Sequence, residues 1–238
     1  MIRLYCDFDG TLSPVDVGDS LFRVLDGAAS DEIVDAYHRG AINSRECLTR
    51  KCAAASPLDP AAFWGLIDGY ELDPHAGELI ALCARQEIPV TIVSDGLDLY
   101  IQRILSRHGL GHVPFVANKG VLVPCDGGCR LEVSFPWTDA ECPQCGNCKR
   151  NHLLTQSADD DVIVYIGDGM SDRCPVRYAD VVFAKGSLIR HCQEENITYH
   201  AVRHLGDVCL RLSNLLADRT VRRRREAAMA RRDVFLHG

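Results

Sequence analysis

Length, composition and charge describe an ordinary folded chain. Its 238 residues are 47% hydrophobic and 25% charged, with a formal net charge of -7, which excludes a disordered protein. No apolar run reaches about 18 residues, so no transmembrane helix is predicted. The start lacks the basic and apolar regions of a signal peptide, so a cytosolic location is the default expectation. The acidic total argues against nucleic acid as a partner.

Short apolar runs, most of them rich in Val and Ile, predict buried parallel strands. They cover residues 2–6, 90–93, 162–166 and 181–184, with a weaker candidate at 198–202. Helical patterns separate them at residues 76–86, 99–108 and 150–157. This alternation predicts an α/β fold with a doubly wound, mostly parallel sheet, whose ligands collect at the carboxyl ends of the strands.

Two stretches break the alternation. Residues 14–85 contain no good strand but show helical patterns at 19–25, 30–37 and 44–55, which predicts a small helical cap. Residues 115–137 alternate apolar and polar side chains around Asp126-Gly127-Gly128, which predicts a β-hairpin. The predicted division is a core of residues 1–13 and 86–217, a cap of residues 14–85 and a basic tail of residues 218–238.

The basic tail is the only strongly charged segment. Seven arginines stand against three acidic residues between Asp218 and Asp233. A solvated helix is the expected structure. The alternative is a nucleic-acid-binding module, in which the tail and a cysteine cluster would sit on a scaffold without catalytic activity.

Paired carboxylates follow two of the predicted strands. Asp7 and Asp9 come directly after residues 2–6, and positions two apart at a strand end point the same way. Asp168 and Asp172 follow residues 162–166, so they are expected at the same sheet edge. Adjacent carboxylates repel one another, and an oxygen-rich acidic site suits Mg²⁺. The sequence therefore predicts a magnesium site.

Two further segments supply groups that bind phosphate. Ser94-Asp95-Gly96 ends the strand at residues 90–93 and offers a hydroxyl and backbone N–H groups near a helix start. Lys149 begins the helix before Asp168, and its ammonium can neutralise phosphate oxygens.

These motifs resemble the four motifs of the haloacid dehalogenase superfamily, in order and at strand ends. The helical segment between the first two motifs resembles the cap of the phosphoserine-phosphatase-like branch. The resemblance implies a Mg²⁺-dependent phosphatase in which Asp7 attacks phosphorus and Asp9 is the general acid and base. It further implies that Asp7, the backbone carbonyl of Asp9 and Asp168 hold Mg²⁺, with Asp172 supporting them.

A narrower likeness is to the 2-hydroxy-3-keto-5-methylthiopentenyl-1-phosphate phosphatases of methionine salvage. It rests on the cysteine-rich segment that runs from Cys142 to Lys149 and on Asp16 beyond the first motif. Gly169 and Met170 are closer to the phosphoserine phosphatase version, and Asn118 also matches that subgroup. The implied substrate-binding set is Ser94, Asp95, Gly96, Lys149, Asp16 and Asn118. Two alternatives stay open. The substrate is phosphoserine or another small phosphomonoester, or the enzyme transfers the phosphoryl group to an acceptor other than water.

Five of the twelve cysteines cluster in one region, at Cys125, Cys129, Cys142, Cys145 and Cys148. They supply enough thiolates for a structural Zn²⁺ site. Reduced cysteines packed as small hydrophobes are the other interpretation.

The expected partner is a small phosphorylated metabolite, because a helical cap over the site would exclude bulky substrates. No membrane partner is expected, and a homodimer stays an open alternative. Asp16 and Asp19 are expected to face the organic part of the substrate, and an N-terminal helix cap is the other interpretation of Asp19.

Overall fold

The computed structural model describes residues 1–142 and 144–237, and of residues 235–237 it describes the backbone only. Residue 143 and residue 238, the last of the predicted tail, lie outside the described residues.

One sheet of seven strands forms the centre of the molecule. The strands are β1 (Ile2–Cys6), β2 (Val90–Leu97), β3 (Phe115–Cys125), β4 (Gly128–Ser134), β5 (Val162–Gly167), β6 (Val181–Ala184) and β7 (His200–Ala201). They lie in the order β4-β3-β2-β1-β5-β6-β7, and every neighbouring pair is parallel except β3 and β4. The predicted doubly wound, mostly parallel sheet is confirmed. The weaker strand candidate at residues 198–202 corresponds to β7, which is only two residues long.

Helices cover both faces of this sheet. The helices of the described residues are α1 (Val17–His38), α2 (Ser44–Ala54), α3 (Pro60–Ile67), α4 (Ala76–Arg85), α5 (Asp98–Arg107), α6 (Lys149–Gln156), α7 (Leu188–Glu194), α8 (Leu205–Ala217) and α9 (Arg225–His237). Side chains of α4, α5 and α8 share one hydrophobic cluster with Leu4 and Cys6 of β1, whereas α6 and α7 share a second cluster with Tyr5. Successive β1 residues therefore face opposite layers, as burial on both faces of a parallel sheet requires.

Four helices, α1 to α4, lie in residues 14–85, where the cap was predicted. Helix α1 joins the two helical patterns at residues 19–25 and 30–37, with a break at Asp26 and Gly27, whose backbone angles are not helical. Helix α2 packs against α1 and against the hairpin strand β4, and Leu58 pairs with Cys129 of that strand. The cap is thus supported by the hairpin, while α4, at the end of the predicted cap segment, contacts α8 of the core.

The hairpin has the predicted turn. Strands β3 and β4 are antiparallel, and Cys125 pairs with Gly128 across a loop of two residues, Asp126 and Gly127. Gly127 has φ +83°, a left-handed conformation that glycine adopts without a steric penalty.

The expectation that the basic tail is a solvated helix is wrong for two of its arginines. The Arg231 guanidinium is buried against Asp180, with Nη1–Oδ2 and Nη2–Oδ1 distances of 3.1 and 3.2 Å. Arg224 donates to the carbonyl oxygen of Val176 at 2.9 Å, and Ala227 is fully buried. The tail therefore forms a helix that packs on the core. Arg224 and Arg231 hold it there because their guanidinium groups donate to oxygen acceptors at the surface of the core.

Within the part of the chain that the structure describes, none of the helices has the length and apolar character needed to span a membrane.

Candidate active site

The acidic turns after β1 and β5 lie next to each other at the carboxyl edge of the sheet. The two strands are hydrogen-bonded neighbours, and Asp7 N donates to the Ile166 carbonyl oxygen at 2.9 Å. Gly10 permits the approach of the two turns: its φ is +71°, and a Cβ there would lie 2.5 Å from Asp168 Oδ2. Thr11 Oγ1 donates to Asp168 Oδ1 at 3.1 Å, which ties the turns together.

Lys149 is the cation at the centre of this edge. Its Nζ lies 2.6 Å from Asp7 Oδ1 and 2.7 Å from Asp172 Oδ1, and it donates to Ser171 Oγ at 2.8 Å. The side chain is 1% exposed. A buried ammonium is costly unless it is paired, so the two carboxylates are what allow a lysine at this position.

Both carboxylate oxygens of Asp172 accept two hydrogen bonds each. Its Oδ2 accepts from the backbone N–H groups of Asp168 and Gly169 at 2.9 and 3.0 Å. Its Oδ1 accepts from Lys149 and from the Tyr165 hydroxyl, the latter at 2.6 Å. Burial opposes its ionisation, but Lys149 and these hydrogen bonds outweigh burial and lower the pKa of Asp172. Asp172 therefore fixes the loop that carries Asp168.

Asp7, Asp168 and Asp172 form a cluster that fits a divalent cation. Their ligand oxygens lie within 4.8 Å of one another, and no other group of three His, Cys, Asp or Glu residues meets that distance among the described residues. Burial and then the charge of Asp172 raise the pKa of Asp7, against the effect of Lys149. The same two causes raise the pKa of Asp168 to about 6. Hard carboxylate oxygens held close together are ligands suited to Mg²⁺.

Asp9 points away from this cluster and is held on both carboxylate oxygens. Oδ1 accepts from the backbone N–H groups of Val17 and Gly18, at 2.9 and 3.3 Å, at the start of α1. Oδ2 accepts from the Tyr100 hydroxyl at 2.9 Å and from Ser94 Oγ at 3.2 Å. Burial raises the pKa of Asp9, and these four hydrogen bonds oppose the rise. A carboxyl group with a raised pKa is suited to donate a proton.

The second motif is built into the core. Ser94 is fully buried, and its Oγ accepts from Gly96 N at 2.9 Å. Asp95 accepts from Asn147 N at 2.7 Å and from the Ser44 hydroxyl of α2. Asn118 is fully buried and donates through Nδ2 to the Asp95 carbonyl oxygen at 2.7 Å. It thus supports the loop from behind.

A cavity of about 280 Å³ separates these turns from the cap. Of the predicted site residues, six line it and four do not. Those lining it are Asp7, Asp9, Asp16, Asp95, Gly96 and Asp168. Ser94, Asn118, Lys149 and Asp172 stand behind the lining and hold it in place.

The cap contributes charged and apolar groups to the same cavity. Asp16 Oδ1 caps α1 by accepting from Asp19 N at 2.7 Å, so the helix cap is Asp16 and not Asp19. Desolvation and the charges of Asp9 and Asp19 raise the pKa of Asp16, although part of its surface is exposed to solvent. Asp19 pairs with the buried Lys51, whose Nζ lies 5.8 Å from the centre of the Phe22 ring.

Comparison with known proteins agrees with this geometry. Residues 4–175 match the haloacid dehalogenase-like hydrolases. The chain belongs to this family. It is 28% identical over 209 residues to a 2-hydroxy-3-keto-5-methylthiopentenyl-1-phosphate phosphatase of Exiguobacterium sibiricum, covering 83% of this chain and 90% of that one. A Bacillus cereus protein of the same name is 26% identical over 234 residues, covering 90% and 97%.

The fold of this hydrolase is similar to that of phosphoserine phosphatase. A solved phosphoserine phosphatase with an analogue of the phospho-aspartyl intermediate superposes with a TM-score of 0.64 at 18% identity. The match covers 87% of this chain and 98% of the other. The likeness shows that the two chains share the fold, a mostly parallel sheet flanked by helices.

The cysteine cluster does not support the predicted zinc site. Cys142 and Cys145 have Sγ atoms 3.7 Å apart, but Cys125 and Cys129 lie on the hairpin and Cys148 Sγ points to Asp139 Oδ2 at 3.9 Å. These thiols do not form a group of three ligand atoms within 4.8 Å among the described residues. None of the cysteines is in a disulfide among the described residues.

Three site residues were missed by sequence reasoning. Tyr100 lies on the buried, apolar face of an amphipathic helix, where the sequence pattern does not distinguish a site residue from a core residue. Lys51 carried no motif, and its burial against Asp19 follows only from the packing of α2 on α1. Asn147, two residues before Lys149, donates to the carbonyl oxygens of Ser94 and Val116 at 2.8 and 3.1 Å. Its closeness to Lys149 in sequence was the one usable signal.

Proposed function

We propose that this hydrolase is a Mg²⁺-dependent phosphatase of small phosphomonoesters that works through an aspartyl-phosphate on Asp7. The observation that carries the proposal is the Asp7–Lys149–Asp172 cluster, with Asp168 beside it, at the base of a small capped cavity. Phosphoryl transfer needs a positioned nucleophile and neutralised oxygens rather than elaborate covalent chemistry. The cluster supplies both.

The first step uses Asp7 and Asp9 in different roles. Lys149 and Phe8 N both bond Asp7 Oδ1, at 2.6 and 2.8 Å, which leaves Oδ2 to attack. A lone pair of Oδ2 forms the new O–P bond, the ester P–O bond breaks, and Asp9 donates its proton to the leaving alcohol oxygen. The Lys149 ammonium lies behind the cavity lining, 2.6 Å from Asp7 Oδ1, and from there would attract the negative charge of the transferred group.

The second step reverses the role of Asp9. A water attacks phosphorus while Asp9 accepts its proton, and the bond between Asp7 and phosphorus breaks to release inorganic phosphate. Mg²⁺, held by the carboxylates of Asp7 and Asp168 and the backbone carbonyl of Asp9, would supply neutralisation of the phosphoryl oxygens. Asp172 and Thr11 hold Asp168 in the orientation that this requires.

We further propose 2-hydroxy-3-keto-5-methylthiopentenyl-1-phosphate as the substrate. Relatives of that name match nearly the whole chain. The cavity wall combines apolar Phe22 and Leu48 with polar Asp16 and Lys51, which suits a substrate with a methylthio end and hydroxyl and keto oxygens. Phosphoserine is a poorer match to this wall, because the Lys51 ammonium that could bind its carboxylate is already paired with Asp19.

Phosphate release from the two esters tests both levels of the proposal. With Mg²⁺ we expect kcat/KM for the methylthiopentenyl ester to exceed that for phosphoserine by at least about tenfold, a difference of about 1.4 kcal/mol. EDTA should abolish both activities, and the Asp7→Asn variant serves as the inactive control. A higher kcat/KM for phosphoserine would show that phosphoserine is the better substrate and would contradict the proposed one. Hydrolysis of neither ester, nor of p-nitrophenyl phosphate, with Mg²⁺ present would reject the phosphatase.

A further inference from the structure

Tyr100 is a buried tyrosine of α5 whose hydroxyl reaches the candidate site. The residue is 1% exposed, and its ring packs on Phe8 with the ring centres 6.1 Å apart. Its hydroxyl donates to Asp9 Oδ2 at 2.9 Å and lies at the cavity wall. A buried tyrosine hydroxyl needs a partner, and here the partner is the candidate general acid.

Two glycines leave room for this hydroxyl. A Cβ on Gly96 would collide with the Tyr100 hydroxyl and would lie 2.7 Å from Asp9 Oδ2. A Cβ on Gly18 would lie 3.3 Å from the same hydroxyl. The backbone of β2 and that of α1 thus both come close to one oxygen atom. Core packing alone would be satisfied by a phenylalanine, so the hydroxyl has a further role.

The bonds on Asp9 show what that role is. The two groups on Oδ1, the N–H groups of Val17 and Gly18, can only donate, so Oδ1 is fixed as an acceptor. The two groups on Oδ2 are the hydroxyls of Tyr100 and Ser94, which can rotate and accept as well as donate. The position of Oδ2 is therefore set by side chains and not by backbone amides, and Tyr100 gives it the shorter of its two bonds.

We propose that Tyr100 is a positioning residue for proton donation, because its hydroxyl holds Asp9 Oδ2 in line with the leaving oxygen of the substrate. The inference rests on the proposed function, in which Asp9 protonates the leaving alcohol as the ester P–O bond breaks. Without the hydroxyl, only the 3.2 Å contact with Ser94 would remain on Oδ2. The carboxyl plane would then be poorly fixed at the moment of proton transfer.

The leaving group of the substrate provides the test. An alkoxide leaves poorly and needs its proton from Asp9, whereas p-nitrophenolate leaves well without one. We expect Tyr100→Phe to slow release of the alcohol from n-butyl phosphate by about 10- to 100-fold, and release of p-nitrophenol from p-nitrophenyl phosphate by less than about threefold. Both rates are measured in single turnovers with enzyme in excess and Mg²⁺ present, so that only the first chemical step is observed.

Tyr5→Phe is the matched control. Tyr5 is equally buried, and its hydroxyl bonds Ser157 Oγ at 2.9 Å outside the site. This variant should leave both first-turnover rates unchanged. If Tyr100→Phe lowers the first-turnover rate equally for both esters, or lowers neither rate, the positioning role is overturned. Activity of the wild-type protein in the same assay would still support the proposed phosphatase. A wild-type protein inactive on n-butyl phosphate and p-nitrophenyl phosphate, and also on the methylthiopentenyl ester and phosphoserine, would reject the proposed function, and the role of Tyr100 with it.

Discussion

Replacing Lys149 by Met tests how the buried charges at the sheet edge are balanced. The Nζ atom lies 2.6 and 2.7 Å from oxygens of Asp7 and Asp172, which corresponds to about 6 kcal/mol of attraction per contact at an effective dielectric constant of about 20. Desolvation of the three groups offsets most of this. Removing the lysine still leaves two buried carboxylates without a cation, so we expect a loss of about 3–5 kcal/mol in unfolding free energy.

Urea unfolding followed by circular dichroism, in metal-free buffer at neutral pH, measures this loss. Mg²⁺ should stabilise Lys149→Met more than wild type, because a cation near Asp7 partly replaces the missing ammonium. The control is Lys119→Met, whose partner Asp98 lies 2.8 Å away but whose side chain is 54% exposed. That surface pair should cost about 0–1 kcal/mol. A loss in Lys149→Met no larger than in this control would refute the charge-balance argument.

Three further changes test the nucleophile, a buried histidine and the tail. Asp7→Asn should abolish phosphate release without lowering the melting temperature, because an amide cannot attack phosphorus and Lys149 keeps its second partner. Burial lowers the pKa of His152 to about 4, below its unfolded value of about 6.5. The unfolded state therefore binds the proton first, and stability falls as pH drops through 6.5 towards 4, by about 1–2 kcal/mol at pH 5. His152→Gln should remove that part of the pH dependence in urea unfolding. Arg231→Met should cost about 3–5 kcal/mol, whereas Arg232→Met, at an exposed position, should leave the denaturation midpoint unchanged.

The fold was predictable from the sequence because its strongest signals are local. Val- and Ile-rich runs identify the parallel strands, and the Asp126-Gly127 turn identifies the hairpin. The order of Asp7, Ser94, Lys149 and Asp168 along the chain places four candidate site residues at strand ends or a helix start. Parallel strands share one carboxyl edge, so the convergence of these groups follows from topology.

Other parts of the site depend on packing that no local pattern records. The partner of Lys51 is Asp19, 32 residues away, and the pair forms only when α2 packs on α1. Arg231 was expected in solvent because it belongs to an arginine-rich run, yet Asp180 offers it a buried carboxylate 51 residues away. The spacing of the cysteines suggested zinc, but among the described residues no three of these thiols lie within 4.8 Å of one another.

The bonds of Asp9 link the cap to the chemical step. Its Oδ1 is held by amides at the first turn of α1, which is a cap helix, and its Oδ2 by Tyr100 and Ser94 of the core. A displacement of α1 would therefore withdraw two of the four bonds that orient the carboxyl group. Phe22 of the same helix lines the cavity. In the proposed mechanism, a substrate whose organic part packs on Phe22 would hold α1 in place and thereby keep Asp9 aligned. Binding energy from the organic part would then act on the chemical step, so we expect a truncated substrate to lose kcat as well as to raise KM.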